Sequence, residues 1–441
     1  MLRKRWFRWL IPGLNIKRWL ALYSLGVGLL IIGISLLFNY QWLSYIEDIV
    51  LAYSYSLTGY YNYNVLILVG AVLIGIAAVL ILVGTSKVIK TIIRAVLPDP
   101  SSKVSDIIFQ NIRLDKGPKI VVIGGGTGLS NLLRGLKAHT SNLSAIVTVA
   151  DDGGSSGRLR EDFKMIAPGD LRNCLVALAE QEGVMENLFR YRFEGNNELS
   201  GHSFGNLFIT ALAQVYAGDV EEALEAASKL LRVRGRVIPS STEFIQLSAE
   251  LIDGTIVDGE SNIPHAGKKI KRVFSSPEHP KPEGAALRAI DEADVIILGP
   301  GSLYTSIIPN LLTDKIADHV RASKANKIYI ANVMTQPGET SGYTLADHVQ
   351  AIIDHSGVGI IDTVLANDGP LPIQMVEQYS AVGSEPVAID SKRLQDMGIR
   401  TVRATLISQE KPAIHDPERL GKVLMDIIYA MKSDMEPRVL E

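Results

Sequence analysis

Asp151 and Asp152 are the most informative adjacent pair in this 441-residue chain. Two successive carboxylates followed by a small-residue loop, Gly153-Gly154-Ser155-Ser156-Gly157, are hard oxygen donors that can hold a magnesium ion bridging to phosphates. At the end of a second strand one of them would instead bind ribose hydroxyls in a nicotinamide enzyme. A solvated Asx turn also accounts for either residue, for Asp152 more readily than for Asp151. Arg158 and Arg160 follow closely enough to clamp phosphate oxygens in pairs. Ser155, Ser156 and Arg158 therefore join the aspartates as candidate ligand contacts.

A glycine cluster, Gly124-Gly125-Gly126-Thr127-Gly128, lies just upstream. It is not quite the dinucleotide fingerprint: Gly124 and Gly126 fit G-x-G-x-x-G, but Leu129 holds the last position and Gly128 comes one residue early. A helix that starts there still turns free amides and a positive dipole end toward an anion, and Thr127 adds a hydroxyl. The plainer alternative is a tight turn without a ligand, and the run of glycines favours close ligand approach over it. Gly299-Pro300-Gly301-Ser302-Leu303-Tyr304-Thr305-Ser306 is a second loop of this kind. His202 has no HExxH-type partner, so a hydrogen-bonded structural histidine suits it better than a metal ligand. Asn206 in the same loop is a neutral donor fit for a base or a sugar hydroxyl. No Ser-His-Asp spacing and no paired-carboxylate hydrolase signature emerges.

These loops need strands before them and helices after them, and the sequence supplies both. Ile120 to Ile123 is an apolar run entering the first glycine cluster, and Leu129, Leu132, Leu133 and Leu136 leave it at helical spacing. Ala145 to Val149 leads into the aspartates, and Asp294 to Leu298 leads into the Gly299 loop, followed by an apolar Leu303 to Leu312. Lys327 to Asn332 and Gly359 to Ala366 read as further strands, and His415 to Met431 as a last helix. Asp170 suits the N-cap of a helix carrying Leu171, Cys174, Leu175 and Leu178 on one face, and Asp219 with Glu222 suits a capping box for Val220 to Leu231. Arg232 to Val273 alternates and breaks like short strands and hairpins. Strands alternating with helices imply an α/β fold with a doubly wound, mainly parallel sheet over residues 119–441.

Residues 1–94 are different. Leu20 to Phe38 and Val65 to Gly84 are uncharged stretches of the length a helix needs to cross a bilayer core. Arg3, Lys4, Arg5, Arg8, Lys17 and Arg18 precede the first, and Lys87, Lys90 and Arg94 follow the second, whereas the segment between carries only Glu47 and Asp48. The positive-inside rule then predicts a cell-membrane hairpin with both termini cytoplasmic. All four tryptophans, Trp6, Trp9, Trp19 and Trp42, fall here with Tyr40, Tyr45, Tyr60, Tyr61 and Tyr63, as an interfacial aromatic belt requires. The stretch is too long for a cleaved signal peptide and a second span follows. Residues 95–118, rich in Pro, Ser and Gly around Ile107 to Phe109, read as a linker.

Removing the anchor sharpens the charge argument. Residues 1–94 hold 9 basic and 2 acidic residues, and the remainder holds 35 and 45. The acidic remainder lacks a nucleic-acid footprint, so a polyanion must be met locally by loop amides and a few arginines. The single cysteine, Cys174, rules out an internal disulfide and a cysteine zinc site, in keeping with a cytosolic domain.

Taken in order, GGGTGLS (124–130), VADDGGSSGRLR (149–160), PGDLRNCL (168–175), GHSFGNL (201–207), GPGSLYTSIIPNLL (299–312) and NVMTQPGET (332–340) closely resemble the YvcK-like gluconeogenesis factor family. That family belongs to the superfamily of the CofD-like 2-phospho-L-lactate transferases. The resemblance covers 119–432 and implies a Rossmann-like fold. It also implies binding of a nucleotide sugar such as UDP-N-acetylglucosamine and a role in cell shape and envelope regulation during gluconeogenic growth. By position it assigns phosphate contacts to Gly125, Gly126, Thr127 and Gly128. It puts Asp151 and Asp152 where the transferases place magnesium or acceptor contacts, and lines the same crevice with Gly299, Gly301 and Ser302. The hairpin departs from the family, whose members look soluble. Three readings follow: a membrane-tethered UDP-sugar sensor acting on envelope-synthesis proteins, with a homo-oligomer open; a magnesium-dependent transferase of a phospho-ester group; and, disfavoured by the misplaced glycine, a nicotinamide oxidoreductase.

Overall fold

The computed structural model describes residues 16–38, 44–61, 63–96, 112–180, 182–196, 198–407 and 414–435. The chain divides into two compact units, Met1–Gln110 and Asn111–Glu441. The first consists of α1 (Ile16–Phe38), α2 (Ser44–Thr58) and α3 (Tyr63–Val96). Small residues let α1 and α3 pack antiparallel almost backbone to backbone. A Cβ added at Gly33 would lie 3.0 Å from the Gly70 carbonyl oxygen, and one at Gly70 3.0 Å from that of Gly33. Such contacts hold apolar helices together where no hydrophobic gain is available between them. By length and composition alone, Arg18–Leu37 and Asn64–Thr91 can each cross a membrane. Apolar side chains such as Leu20, Ile31, Leu68 and Leu82 point outward on them. Two details differ from expectation: α3 continues past Gly84 to Val96, and the connecting segment is itself helical in α2. The basic cluster Arg3 to Arg8, the aromatics Trp6, Trp9, Tyr40 and Trp42, and the linker's Ile107 to Phe109 lie outside the described residues.

In the second unit, apolar runs without alternation become strands buried on both faces, as in IVVIG and VIIL. The strands are β1 (Ile120–Gly124), β2 (Leu143–Val147), β3 (Arg236–Pro239), β4 (Gln246–Leu251), β5 (Ile256–Asp258), β6 (Ile270–Ser276), β7 (Val295–Leu298), β8 (Asn326–Ile330), β9 (Thr363–Asn367) and β10 (Arg400–Ala404). Seven of them form one sheet in the order β10-β9-β8-β7-β1-β2-β3. Every pair in it is parallel. A smaller antiparallel sheet has the order β5-β4-β6, the hairpin region read from the alternation after Arg232. This is the expected Rossmann-like α/β fold. The last strand, β10, escaped the sequence reading because this edge strand, RTVRA, has no fully buried residue and exposes Arg400 and Arg403, so it lacks the apolar run that marks the central strands.

The helices that position the site are α4 (Gly126–Leu136), α5 (Gly154–Phe163), α6 (Pro168–Leu178), α7 (Phe204–Val215) and α8 (Pro417–Met435). Asp170 does not cap α6. The helix begins two residues earlier, at Pro168 behind Ala167, because proline presets the first helical φ. Asp219 does cap the helix Val220–Leu231, its side chain accepting from the Glu222 amide. Leu129, Leu132, Leu133 and Leu136 of α4 are fully buried against the sheet, and α8 crosses the same helix at Gly135 and Gly421.

Candidate functional site

β1 has β2 on one side and β7 on the other, so the loops at its carboxyl end diverge and open a crevice at the switch point of the sheet. A cavity of about 420 Å³ sits there. Its walls come from Gly125, Gly126, Thr127 and Gly128 after β1, from Gly301 and Ser302 after β7, and from Asn332 to Pro337 after β8. Tyr379, Val382, Ser384, Ile414 and His415 close it. Among the described residues no Asp, Glu, Lys or Arg is part of these walls. Gly126 has φ +67°, a left-handed conformation that glycine adopts freely, and this turn swings α4 so that its first amides meet the cavity.

The loops are held in register by backbone contacts. A Cβ on Gly128 would come 2.7 Å from the Pro300 carbonyl oxygen, so only glycine lets the two loops touch. The Asn332 amide donates to the Gly301 carbonyl at 2.8 Å, and the Asn310 amide donates to the Gly124 carbonyl at 3.2 Å. Glu339, 2% exposed, ties the Gly299 loop to the β8 loop. Its carboxylate accepts from the Tyr304 amide at 3.1 Å, the Thr305 hydroxyl at 3.1 Å and the Gln336 amide at 3.0 Å.

The remaining predicted residues lie beside this cavity, not in its walls. Asp151 accepts from the Gly153 amide at 3.0 Å, and its other oxygen abuts Gly169 at the start of α6. Asp152 spends both oxygens on the amides of Glu260 and Ser261, at 3.0 and 2.9 Å, capping the short 3-10 turn Glu260–His265. Ser155 Oγ is 3.0 Å from His202 Nδ1 and accepts from the Asn206 side-chain amide at 3.0 Å. Burial and the nearby Arg158 lower the His202 pKa, so the ring is a neutral partner within a buried polar network. Ser156 is buried against Gly169, and Arg158 donates to the Ser200 carbonyl at 2.8 Å. Gly299, with φ +76°, packs against Gly124 and positions the second loop without lining the cavity.

One residue joins the two groups. Asp170 accepts from the Gly126 amide while its carboxyl faces Asp151, and burial followed by that like charge pushes its pKa up to about 6. Glu260 is pushed up to about 8 by burial and by the charges of Asp151, Asp152, Glu339 and Asp170. Burial pushes Glu339 up to about 7, against the donors that favour its charged form. The glycine loop therefore has a neutral cavity on one side and a set of carboxyls on the other.

The family model described as 2-phospho-L-lactate transferase CofD matches residues 120–407, the span from β1 to just past β10. The chain belongs to the CofD family. Relatives named gluconeogenesis factor, from Halalkalibacterium halodurans and Bacillus subtilis, are 49% and 48% identical over 312 residues, which cover 70% of this chain and 97% and 98% of theirs. A crystal structure from Bacillus halodurans superposes with a TM-score of 0.68 at 49% identity, covering 70% of this chain and 99% of that one. A family member from Nostoc sp. is 45% identical over 427 residues, 96% of this chain and 92% of its own. The CofD family thus includes members short enough to lack the N-terminal unit and members that align across it.

Within this CofD-family chain, sequence reasoning missed Asp170 as a contact of the glycine loop, and it missed Glu260, Glu339, Tyr379, Ser384 and His415. Asp170 and Glu339 sat inside quoted motifs, PGDLRNCL and NVMTQPGET. Their partners lie in loops far along the chain, a relation that no spacing displays.

Proposed function

We propose that this chain is a nucleotide-sugar-binding regulator whose crevice takes a UDP-sugar of the UDP-N-acetylglucosamine kind. The observation that carries the reading is the composition of the cavity. Two glycine loops and a helix start offer backbone amides and a positive dipole end, with no Asp, Glu, Lys or Arg among the described wall residues. That suits a diphosphate held by the backbone. The volume of about 420 Å³ falls in the range of small-molecule sites. The two apolar helices support a tether that holds the unit at the cytoplasmic membrane face, where occupancy would pass to envelope-synthesis partners and so to cell shape. Calorimetry on the full chain in detergent micelles should show saturable UDP-N-acetylglucosamine binding. The reading fails if neither that ligand nor UDP binds.

A second reading, a transferase of a phospho-ester group that uses magnesium, is favoured by the carboxyls behind the glycine loop. Among the described residues no group of three or more His, Cys, Asp or Glu is arranged to hold a metal ion. Asp152 is committed to its cap, so the side chains do not form a ready magnesium cage. Asp151 is the residue this reading needs. Asp151→Asn should abolish turnover of a nucleotide-diphosphate donor and spare binding, and equal turnover in the variant rejects it.

A further inference from the structure

We propose that His415 reads the base of the ligand, its Nε2 accepting a hydrogen bond from a ring N–H such as the imide of uracil. The assignment rests on the nucleotide-binding reading above. His415 lines the cavity and is 6% exposed. Its ring is bonded to the backbone of Ala331, just past β8, while Nε2 has no hydrogen-bond partner among the described residues. Nδ1 therefore carries the proton given to the Ala331 carbonyl, and Nε2 is left as a bare acceptor. Burial lowers the pKa of this ring to about 4, outweighing the carbonyl, so it stays neutral at physiological pH and accepts without donating. A buried acceptor without a donor is costly and rare in native folds, and a ligand that supplies the donor relieves it.

The surroundings decide which part of the ligand that is. His415 pairs through its backbone with Ile407, which packs with Val333, Met334 and Tyr379, so this part of the cavity has apolar surfaces, whereas the amides that suit phosphates belong to the glycine loops. A sugar would bury several hydroxyls against those apolar groups. A flat base with one N–H on its edge buries a face and satisfies one acceptor. Cytosine, whose ring N3 is itself an acceptor, would set two lone pairs against each other.

The test is calorimetry on the full chain in detergent micelles with UDP, N3-methyl-UDP and CDP, for the wild type, His415→Phe and His415→Gln. The wild type should bind UDP about ten- to a hundredfold more tightly than N3-methyl-UDP or CDP. His415→Phe keeps ring volume and removes the acceptor, so it should bind UDP and N3-methyl-UDP within about threefold of each other. His415→Gln keeps an acceptor oxygen and should retain most of the preference. A preference that survives in His415→Phe, or that the wild type lacks, overturns the assignment and leaves the UDP-sugar reading standing. A wild type that binds no uridine diphosphate defeats both. Should His415→Phe not fold, the wild-type preference and its retention in His415→Gln decide the matter.

Discussion

Replacing Glu339 by glutamine should change how the stability of the α/β unit depends on pH. Glu339 is 2% exposed, and burial holds its pKa near 7, above the ordinary 4.5. Between those values the native state binds more protons than the unfolded chain, so stability is highest at low pH and falls as pH rises toward 7. From pH 5.5 to pH 8 the loss is about 2 kcal/mol, a factor of roughly 30 in the population of opened molecules. Glutamine carries no such titration. Its altered hydrogen bonds to Tyr304, Thr305 and Gln336 add a cost that does not vary with pH and cancels from the trend.

Tryptophan fluorescence cannot follow this unit, because every tryptophan lies between residues 6 and 42. Cys174 can. It is the single cysteine, fully buried in α6, and reacts with a pyridyl disulfide only when the unit opens. Where reclosing outruns labelling, the rate tracks the open population. At each pH the exposed thiol is the same in both proteins, so the ratio of wild-type to Glu339→Gln rates isolates Glu339. That ratio should climb about thirtyfold from pH 5.5 to pH 8. A ratio constant within about twofold would refute the argument that burial outweighs the three donors.

Binding of UDP-N-acetylglucosamine near pH 7 should be accompanied by proton uptake, because a diphosphate at the glycine loop raises the pKa values of Asp170 and Glu339; calorimetry in two buffers of different ionisation enthalpy measures it. Magnesium binding beside Asp151 would instead release protons, and an absence of any linkage would show that these carboxyls do not sense the ligand. Asp152→Ala should destabilise the Glu260–His265 turn by about 1 kcal/mol through loss of its cap. Hydrogen exchange at the Glu260 and Ser261 amides reads this, and unchanged protection would count against the cap. Gly135→Ala should cost about 1–3 kcal/mol or more by overpacking, since its Cβ would lie 2.0 Å from the Pro417 carbonyl oxygen of α8; a Cys174 labelling rate equal to wild type would contradict it.

The sheet was legible because its strands are buried on both faces and announce themselves as apolar runs. Ile120–Gly124 and Val295–Leu298 need no partner to be recognised. The phosphate-type loops were legible for a related reason, since glycine clusters at strand ends report local backbone demands. What stayed hidden depends on distance along the chain. Asp152 read as a metal ligand or a turn residue, and its role as a cap comes from amides 108 and 109 residues away. Glu339 stood only as one position of the quoted stretch 332–340, yet Tyr304 and Thr305 reach it from the Gly299 loop, 35 and 34 residues back. The Phe38–Tyr63 connection shows the opposite limit: its tyrosines marked an interface, but the helix α2, which carries only Tyr45 of those named, has too little apolar periodicity to be recognised alone.

Asp170 makes the two sides of the glycine loop one system. The first amides of α4 have no partners within the helix, and they are the groups an anion would seek. One of them, at Gly126, is already engaged by the Asp170 carboxyl. An arriving phosphate must therefore share the helix start with a carboxyl whose pKa lies about one unit below neutrality. Negative charge on the cavity side favours the protonated acid, and a protonated acid repels the phosphate less. Anion binding and carboxyl protonation thus reinforce each other, whereas a cation among the carboxyls would strip the proton and strengthen the hold on Gly126. On the nucleotide-binding reading, the arrangement would tie affinity for a phosphorylated ligand to proton and cation occupancy on the far side of a single turn of backbone.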